Sequence, residues 1–148
     1  MNSEKELPES VKNESSCKRP QRHFDLEERL LEFAAVVIDV SEKCPNMRAG
    51  NHIGGQLLRS GTSPYGNHGE AQAPESPDDF IHKMKVCLKE LRETWRWLRL
   101  IHRKGWLGND RQLAFVLGES DELVRIFKAS VQTAERNRAG RARGPAPA

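Results

Sequence analysis

The sequence predicts an all-α protein, an antiparallel up-down-up-down four-helix bundle. Three observations predict it. Residues 23–137 show no strand-like alternation, they contain four segments in which apolar residues recur every three to four positions, and short turn sequences separate these segments. The chain of 148 residues is long enough for one domain, so we expect a single bundle.

The first helix is predicted over about Asp25 to Cys44, and Pro45 marks its end. Its apolar residues cover about half of the helix circumference. That arc is wider than one bundle seam needs, and exposed apolar surface of this kind is typical of self-association. The apolar positions are Leu26, Leu30, Phe33, Ala34, Val37, Ile38 and Val40.

The second helix is predicted over about Ala49 to Ala73 and has an unusual composition. It contains six glycines and Pro64, and each glycine costs about 1 kcal/mol and a proline about 3 kcal/mol inside a helix. We therefore expect a kink or a break near Ser60–Pro64.

The third helix carries the clearest local signals. Ser76 is a good N-cap, Pro77 suits the first helical position, and Gly105 is a natural C-terminal stop. Its apolar stripe predicts a core face, in which Trp95 is included. The stripe consists of Phe80, Met84, Cys87, Leu91, Trp95, Leu98 and Ile101.

The fourth helix is predicted from an N-cap at Asn109 to about Asn137. Its apolar residues alternate at spacings of four and three, the heptad pattern of a bundle seam. Before and after the bundle, residues 1–22 and 138–148 are polar, the latter basic, and we expect both to be disordered tails.

Composition excludes several classes of protein. No apolar run approaches the roughly 18 residues of a membrane-spanning helix, and the first residues lack the apolar stretch of a secretory signal. The three cysteines, Cys17, Cys44 and Cys87, are far apart and form no paired metal-binding motif. We expect a cytoplasmic protein with free thiols and no membrane partner.

No catalytic, metal or cofactor motif is found in the sequence. His68-Gly69-Glu70 matches part of a zinc deaminase signature, but the PCxxC segment that would complete the site is missing. The nucleotide-binding glycine motifs and the serine hydrolase motif are also missing. We therefore expect a protein that is not an enzyme, with no catalytic residue, no metal and no cofactor.

The third helix carries six cations on one side, about 140° from its apolar stripe. A line of cations on a helix can contact the phosphates of a nucleic acid, although it can also be a simple solvated face. We call these residues the basic ridge, and they are Lys85, Lys89, Arg92, Arg96, Arg99 and Arg103.

The second helix carries a polar stripe beside its apolar one. Buried polar groups need partners, so the stripe predicts a structural network that locks this helix to a neighbouring helix or to another subunit. In it, Arg59 and Glu70 can compensate each other's charge and the amides of Gln56 and Asn67 can bridge. A ligand site and simple solvent exposure are the alternatives. The stripe consists of Gln56, Arg59, Ser63, Asn67 and Glu70.

These motifs resemble a known family over about residues 24–130. The resemblance is carried by the run Gln56–Ser63, by Asn67 with Glu70-Ala71, by Glu75-Ser76, and by Asp79–Lys83, with further matches at Leu88–Glu90, Glu93 and Trp97-Leu98. The chain resembles the four-helix-bundle proteins that are encoded in 23S rRNA intervening sequences. It departs from the family pattern at Pro64, His68 and Gly69, within the second helix.

The resemblance implies an antiparallel four-helix bundle that assembles as a homopentamer, without catalytic residues or cofactor. Related accessory proteins of diversity-generating retroelements resemble basic pentameric barrels that bind nucleic acid and a reverse transcriptase. The implied partners are therefore further copies of this chain, RNA or DNA, and a reverse-transcriptase-like or ribosomal protein. Our hypothesis is an RNA-associated scaffold that uses the basic ridge. The alternative is a protein–protein scaffold or accessory subunit that binds no nucleic acid.

Overall fold

A computed structural model describes residues 22–145 as four consecutive α-helices. They are α1 (Arg22–Glu42), α2 (Arg48–Ala71), α3 (Pro77–Lys104) and α4 (Arg111–Ala142). Within these residues each helix packs on the next and α4 returns to α1, with no comparable contact across either diagonal. The predicted all-α four-helix arrangement is confirmed, with the helices in the ring order α1, α2, α3, α4. The predictions for residues 1–21, including Cys17, lie outside the described residues.

The caps of α3 are the ones that the sequence predicts. The Ser76 hydroxyl accepts a hydrogen bond from the Asp79 backbone N–H at 3.0 Å, which satisfies an N-terminal donor of the helix. Gly105 ends the helix in the left-handed conformation at φ 67°. The cap of α4 is Asp110, one residue after the predicted Asn109, and its carboxylate accepts from the Leu113 N–H at 2.9 Å.

The C-terminal part of the chain differs from its prediction. Helix α4 continues to Ala142, so the prediction of a disordered tail from residue 138 is wrong for residues 138–142. Alanine and arginine favour helix, and the Arg138 guanidinium contacts the Asp78 carboxylate at the start of α3 at 2.8 Å. Gly144, at φ 61°, follows the end of the helix.

Helix α2 runs unbroken through Pro64, so the predicted break at Ser60–Pro64 is wrong. Pro64 is buried, and its carbonyl oxygen lies 3.6 Å from the Cys87 Sγ of α3. Two of the buried glycines, Gly54 and Gly61, face α1 at distances that leave little or no room for a side chain. Packing against α1 and α3 therefore outweighs the poor helix propensity of the segment.

The core fills the centre of the bundle from all four helices. Phe33 and Phe127 are its largest fully buried side chains. A buried polar link also crosses the core, because the Ser60 and Thr94 hydroxyls are fully buried and lie 3.0 Å apart between α2 and α3. None of the four described helices is long and apolar enough to span a membrane.

Candidate nucleic-acid interface

All six residues of the basic ridge are exposed on the outer surface of α3. From Lys85 to Arg103 the ridge spans 18 residues, which is about 27 Å along the helix axis. The spacing of three and four residues keeps the cations on one side, while Met84, Cys87 and Leu91 on the other side are buried in the core. The single chain thus presents a straight row of positive charge.

Two members of the ridge have partners within the chain. Lys85 forms an ion pair with Glu135 of α4 at 2.6 Å, and this contact lowers the pKa of the Glu135 carboxyl. The Arg99 guanidinium lies over the Trp95 ring, 4.7 Å from its centroid, in a cation–π contact. The other four cations form no ion pair with any acidic side chain in the described part of the chain. Within the described residues, neighbouring carboxylates therefore leave most of the positive charge of the ridge unpaired.

Trp95 lies beside the ridge and not in the core. The sequence placed it in the apolar stripe, but the structure leaves it half-buried, whereas Trp97 and Trp106 pack against the core cluster. The prediction of a core tryptophan at position 95 is wrong. The residue lies at the edge of the apolar face of α3, on the side that faces α4.

Trp95 lines a groove of about 360 Å³ between α3 and α4. Arg92 and Arg96 contribute from α3, and Asp121 and Val124 contribute from α4. A second groove, of about 390 Å³, lies on the other side of the ridge. Its lining residues are Glu93, Arg96, Trp97, Arg99 and Leu100.

Lys128 of α4 adds a cation that the sequence analysis missed. The Lys85–Glu135 ion pair sets the antiparallel register of α3 and α4, and in that register Lys128 is level with Arg92. Lys128 is exposed and lies one turn after Val124, on the same side of α4. Its place beside the ridge depends on the register of α4 against α3. The sequence pattern of a single helix does not give that register.

In the polar stripe, Arg59 connects α2 to α3 and does not pair with Glu70. Its guanidinium forms ion pairs with Glu90, at 3.1 Å, and with Glu93. Glu93 also accepts a hydrogen bond from the Trp97 Nε1–H at 3.2 Å. Eleven residues, about 16 Å along the helix, separate Arg59 from Glu70, which explains why α3 supplies the partners.

The remaining members of the polar stripe do not form one network. The Asn67 amide donates to the Ser63 carbonyl at 3.1 Å and to the Ser63 hydroxyl at 2.9 Å, both within α2. Gln56 is half-buried and forms no side-chain hydrogen bond with the described residues, and Glu70 is exposed. The structure therefore joins Arg59 to α3 and leaves the other four as local features of α2.

Four apolar side chains are exposed on the face formed by α1 and α2. Ile38 and Leu31 lie seven residues apart on α1, and Leu58 and Tyr65 lie seven residues apart on α2. The contacts of Gly54 and Gly61 with α1 set a register in which Ile38 is level with Leu58 and Leu31 is level with Tyr65. We call these four residues the apolar ladder. In the ring order of the helices, its face is opposite the α3–α4 face that carries the basic ridge.

The described residues offer no metal-binding cluster of three or more His, Cys, Asp or Glu side chains. His68 is buried and packs edge-on against the Phe127 ring, with a centroid distance of 6.0 Å, and its Nε2 lies 3.2 Å from the Gln72 amide nitrogen. Burial raises the pKa of the Cys87 thiol to about 12. Cys87 thus behaves as a small apolar residue of the core.

Comparison with solved structures gives a match that covers most of the chain. No family model and no curated protein matches the chain. Among solved structures, it is similar to a protein of unknown function from the S23 ribosomal protein family of Bacteroides thetaiotaomicron, with 30% sequence identity and a TM-score of 0.65. The match covers 72% of this chain and 97% of that protein, so it extends over almost the whole of the crystallised relative.

Proposed function

The chain belongs to the S23 ribosomal protein family, and we propose that it is a non-enzymatic, oligomeric scaffold that binds RNA through the basic ridge. The crystallised relative is itself of unknown function, so the proposal rests on the surface of this chain. The observation that carries it is the row of six exposed cations on α3, five of which have no anionic partner in residues 26–145.

The ridge has the dimensions of a phosphate-binding surface. Its length of about 27 Å equals the axial rise of about eight nucleotides in one strand of B-form DNA, at 3.4 Å per nucleotide. Arginine forms bidentate contacts with phosphate and lysine acts as a point charge, so both residue types in the row can contact the backbone without reading sequence. Lys128 widens the positive surface toward α4.

The apolar ladder supports the oligomeric part of the proposal. The exposed fractions of Ile38 and Leu31 are 44% and 43% in the single chain, which leaves apolar surface that a second chain can cover. Because the ladder and the ridge lie on opposite faces, association through the ladder leaves the cations accessible. The resemblance to the intervening-sequence proteins implies five copies in the assembly.

The RNA-binding part is tested with charge-matched variants. We expect Arg92→Glu/Arg96→Glu to lose most of the affinity for RNA. The control Arg48→Glu/Arg111→Glu changes the net charge equally, at exposed positions in the first turns of α2 and α4 where glutamate suits the helix dipole, and should bind as the parent does. Equal affinities of the two variants would place the binding surface elsewhere.

The salt dependence of the parent protein separates the two classes of function. If all six cations contact phosphates, the affinity should fall by about 10² to 10³-fold between about 50 and 200 mM salt. A protein–protein scaffold that docks through apolar contacts should change little over the same range. A reverse-transcriptase-like or ribosomal partner that binds in high salt would favour the second class.

The assembly is tested by light scattering coupled to gel filtration, with a chain mass of 16.8 kDa as the reference. We expect a pentamer for the parent and a smaller species for Ile38→Glu/Leu58→Glu. The control Phe115→Glu places a charge at an exposed apolar residue of α4, outside the ladder, and should leave the mass unchanged. A monomeric parent would overturn the oligomeric part of the proposal.

A further inference from the structure

Trp95 has an unusual environment for a large aromatic residue. It is half-buried, lies outside the core cluster and is surrounded by three arginines of the ridge. Arg99 covers one side of the indole but does not line the groove, whereas Arg92 and Arg96 do. The indole is therefore in contact with a cation and also lines a concave space.

The groove is chemically different from the ridge that borders it. Its α4 wall consists of Val124, which is apolar, and Asp121, whose carboxylate is paired with Arg125 at 2.9 Å. A carboxylate repels phosphate but accepts hydrogen bonds from the amino groups of nucleobases. An apolar wall and an indole suit a flat aromatic ring. The groove thus matches a base, and the cations at its rim match the phosphates on either side of that base.

We propose that the ridge prefers single-stranded RNA to duplex, because an unpaired base enters the α3–α4 groove and stacks on Trp95. This inference rests on the proposed RNA-binding function and deepens it by naming the form of the ligand. Bases inside a duplex are already stacked and paired, so they cannot enter the groove that the indole lines. A duplex can contact only the cations at the rim.

The proposal predicts a separation of phosphate contacts from base contacts. Trp95→Leu removes the stacking surface and should weaken binding of a single-stranded RNA by about 5- to 100-fold. The slope of affinity against salt should not change, since no cation is lost. Trp95→Phe keeps an aromatic ring and should restore most of the affinity. Trp106→Leu alters a tryptophan that packs against the core and does not line the groove, and is the matched control.

The experiment measures fluorescence anisotropy of one labelled RNA, alone and annealed to its complement, at equal ionic strength. The expected result is tighter binding of the single strand by the parent, lost selectively in Trp95→Leu. Equal affinity of the parent for both forms, with no effect of Trp95→Leu, would overturn this inference and leave the proposed function standing. No binding of either form would overturn the proposed function as well.

A spectroscopic readout covers the case in which Trp95→Leu does not fold. The chain contains three tryptophans, so Trp97→Phe/Trp106→Phe leaves Trp95 as its one indole. Stacking of a base should quench this emission when single-stranded RNA is added, and duplex should not. Unchanged emission at saturating single-stranded RNA would refute the stacking of a base on Trp95.

Discussion

Gly61 of α2 lies so close to Val37 of α1 that a β-carbon at Gly61 would be 2.5 Å from Val37 Cγ1 and 2.9 Å from Cγ2. Valine has a stiff side chain and cannot easily turn away. We expect Gly61→Ala to lower the free energy of unfolding by about 1–2 kcal/mol, because overpacking outweighs the better helix propensity of alanine. Urea unfolding followed by circular dichroism measures the change.

Gly66 provides the control for this close approach. It lies on the same helix, and no atom of another helix is within 4 Å of its β-carbon position, so Gly66→Ala should stabilise the protein by about 0.5–1 kcal/mol. Val37→Ala should relieve the clash, and the double variant Gly61→Ala/Val37→Ala should be more stable than the sum of the single changes indicates. Stabilisation by Gly61→Ala alone would mean that the two helices do not meet here.

The hydroxyl pair of Ser60 and Thr94 should show energetic coupling. Both side chains are fully buried, and Thr94 also lies 2.7 Å from the Glu90 carbonyl oxygen. Ser60→Ala removes one partner and should cost about 1 kcal/mol, whereas Ser60→Ala/Thr94→Val should cost less than the two single variants together. Thr62→Ala, at a hydroxyl bonded within its own helix, should change stability by less than about 0.5 kcal/mol. Additive losses would contradict a shared hydrogen bond.

Within the polar stripe, Arg59 should matter more for stability than Asn67. Arg59→Ala leaves the Glu90 and Glu93 carboxylates close together without their cation, and we expect a loss of about 0.5–1 kcal/mol, because the pair is partly exposed. The loss should shrink at high salt. Asn67→Ala removes only hydrogen bonds within α2 and should have a smaller effect. Thermal unfolding of both variants at low and high salt tests the order, and equal losses would contradict it.

The sequence predicted those features that depend on neighbouring residues. The Ser76 cap, the Gly105 stop and the exposed row of cations on α3 each follow from a pattern within a single helix. The continuity of α2 through Pro64 could not be predicted in this way, because the stabilising contacts come from α1 and α3.

The candidate site shows the same division between local and tertiary information. The pairing of Arg59 with Glu90 and Glu93 depends on the register of α2 against α3. The half-exposed position of Trp95 depends on how closely α4 approaches α3, and Lys128 becomes part of the basic surface only through that packing. A periodicity of 100° per residue identifies the faces of one helix, but it does not fix which neighbouring helix covers each edge.

Asp110, the cap at the start of α4, pairs with Lys43 just after the end of α1, and its charge should make stability fall in acid. A hydrogen bond from Lys43, at 2.6 Å, and a further one from the Leu113 N–H lower the pKa of its carboxyl below the ordinary value of 3.8. Because the folded pKa is lower than the unfolded one, this stabilisation is complete above about pH 4 and is lost as the pH falls through the folded pKa. Asp110→Asn keeps an acceptor for the helix cap but has no charge to titrate, so its unfolding free energy should fall less steeply than that of the parent between about pH 5 and pH 2.

Asp110→Ala removes the cap as well and should cost about 1 kcal/mol near neutral pH, while Asp110→Asn costs less there. Urea unfolding across this pH range measures both effects, and parallel curves for Asp110→Asn and the parent would contradict a charged link between Lys43 and Asp110.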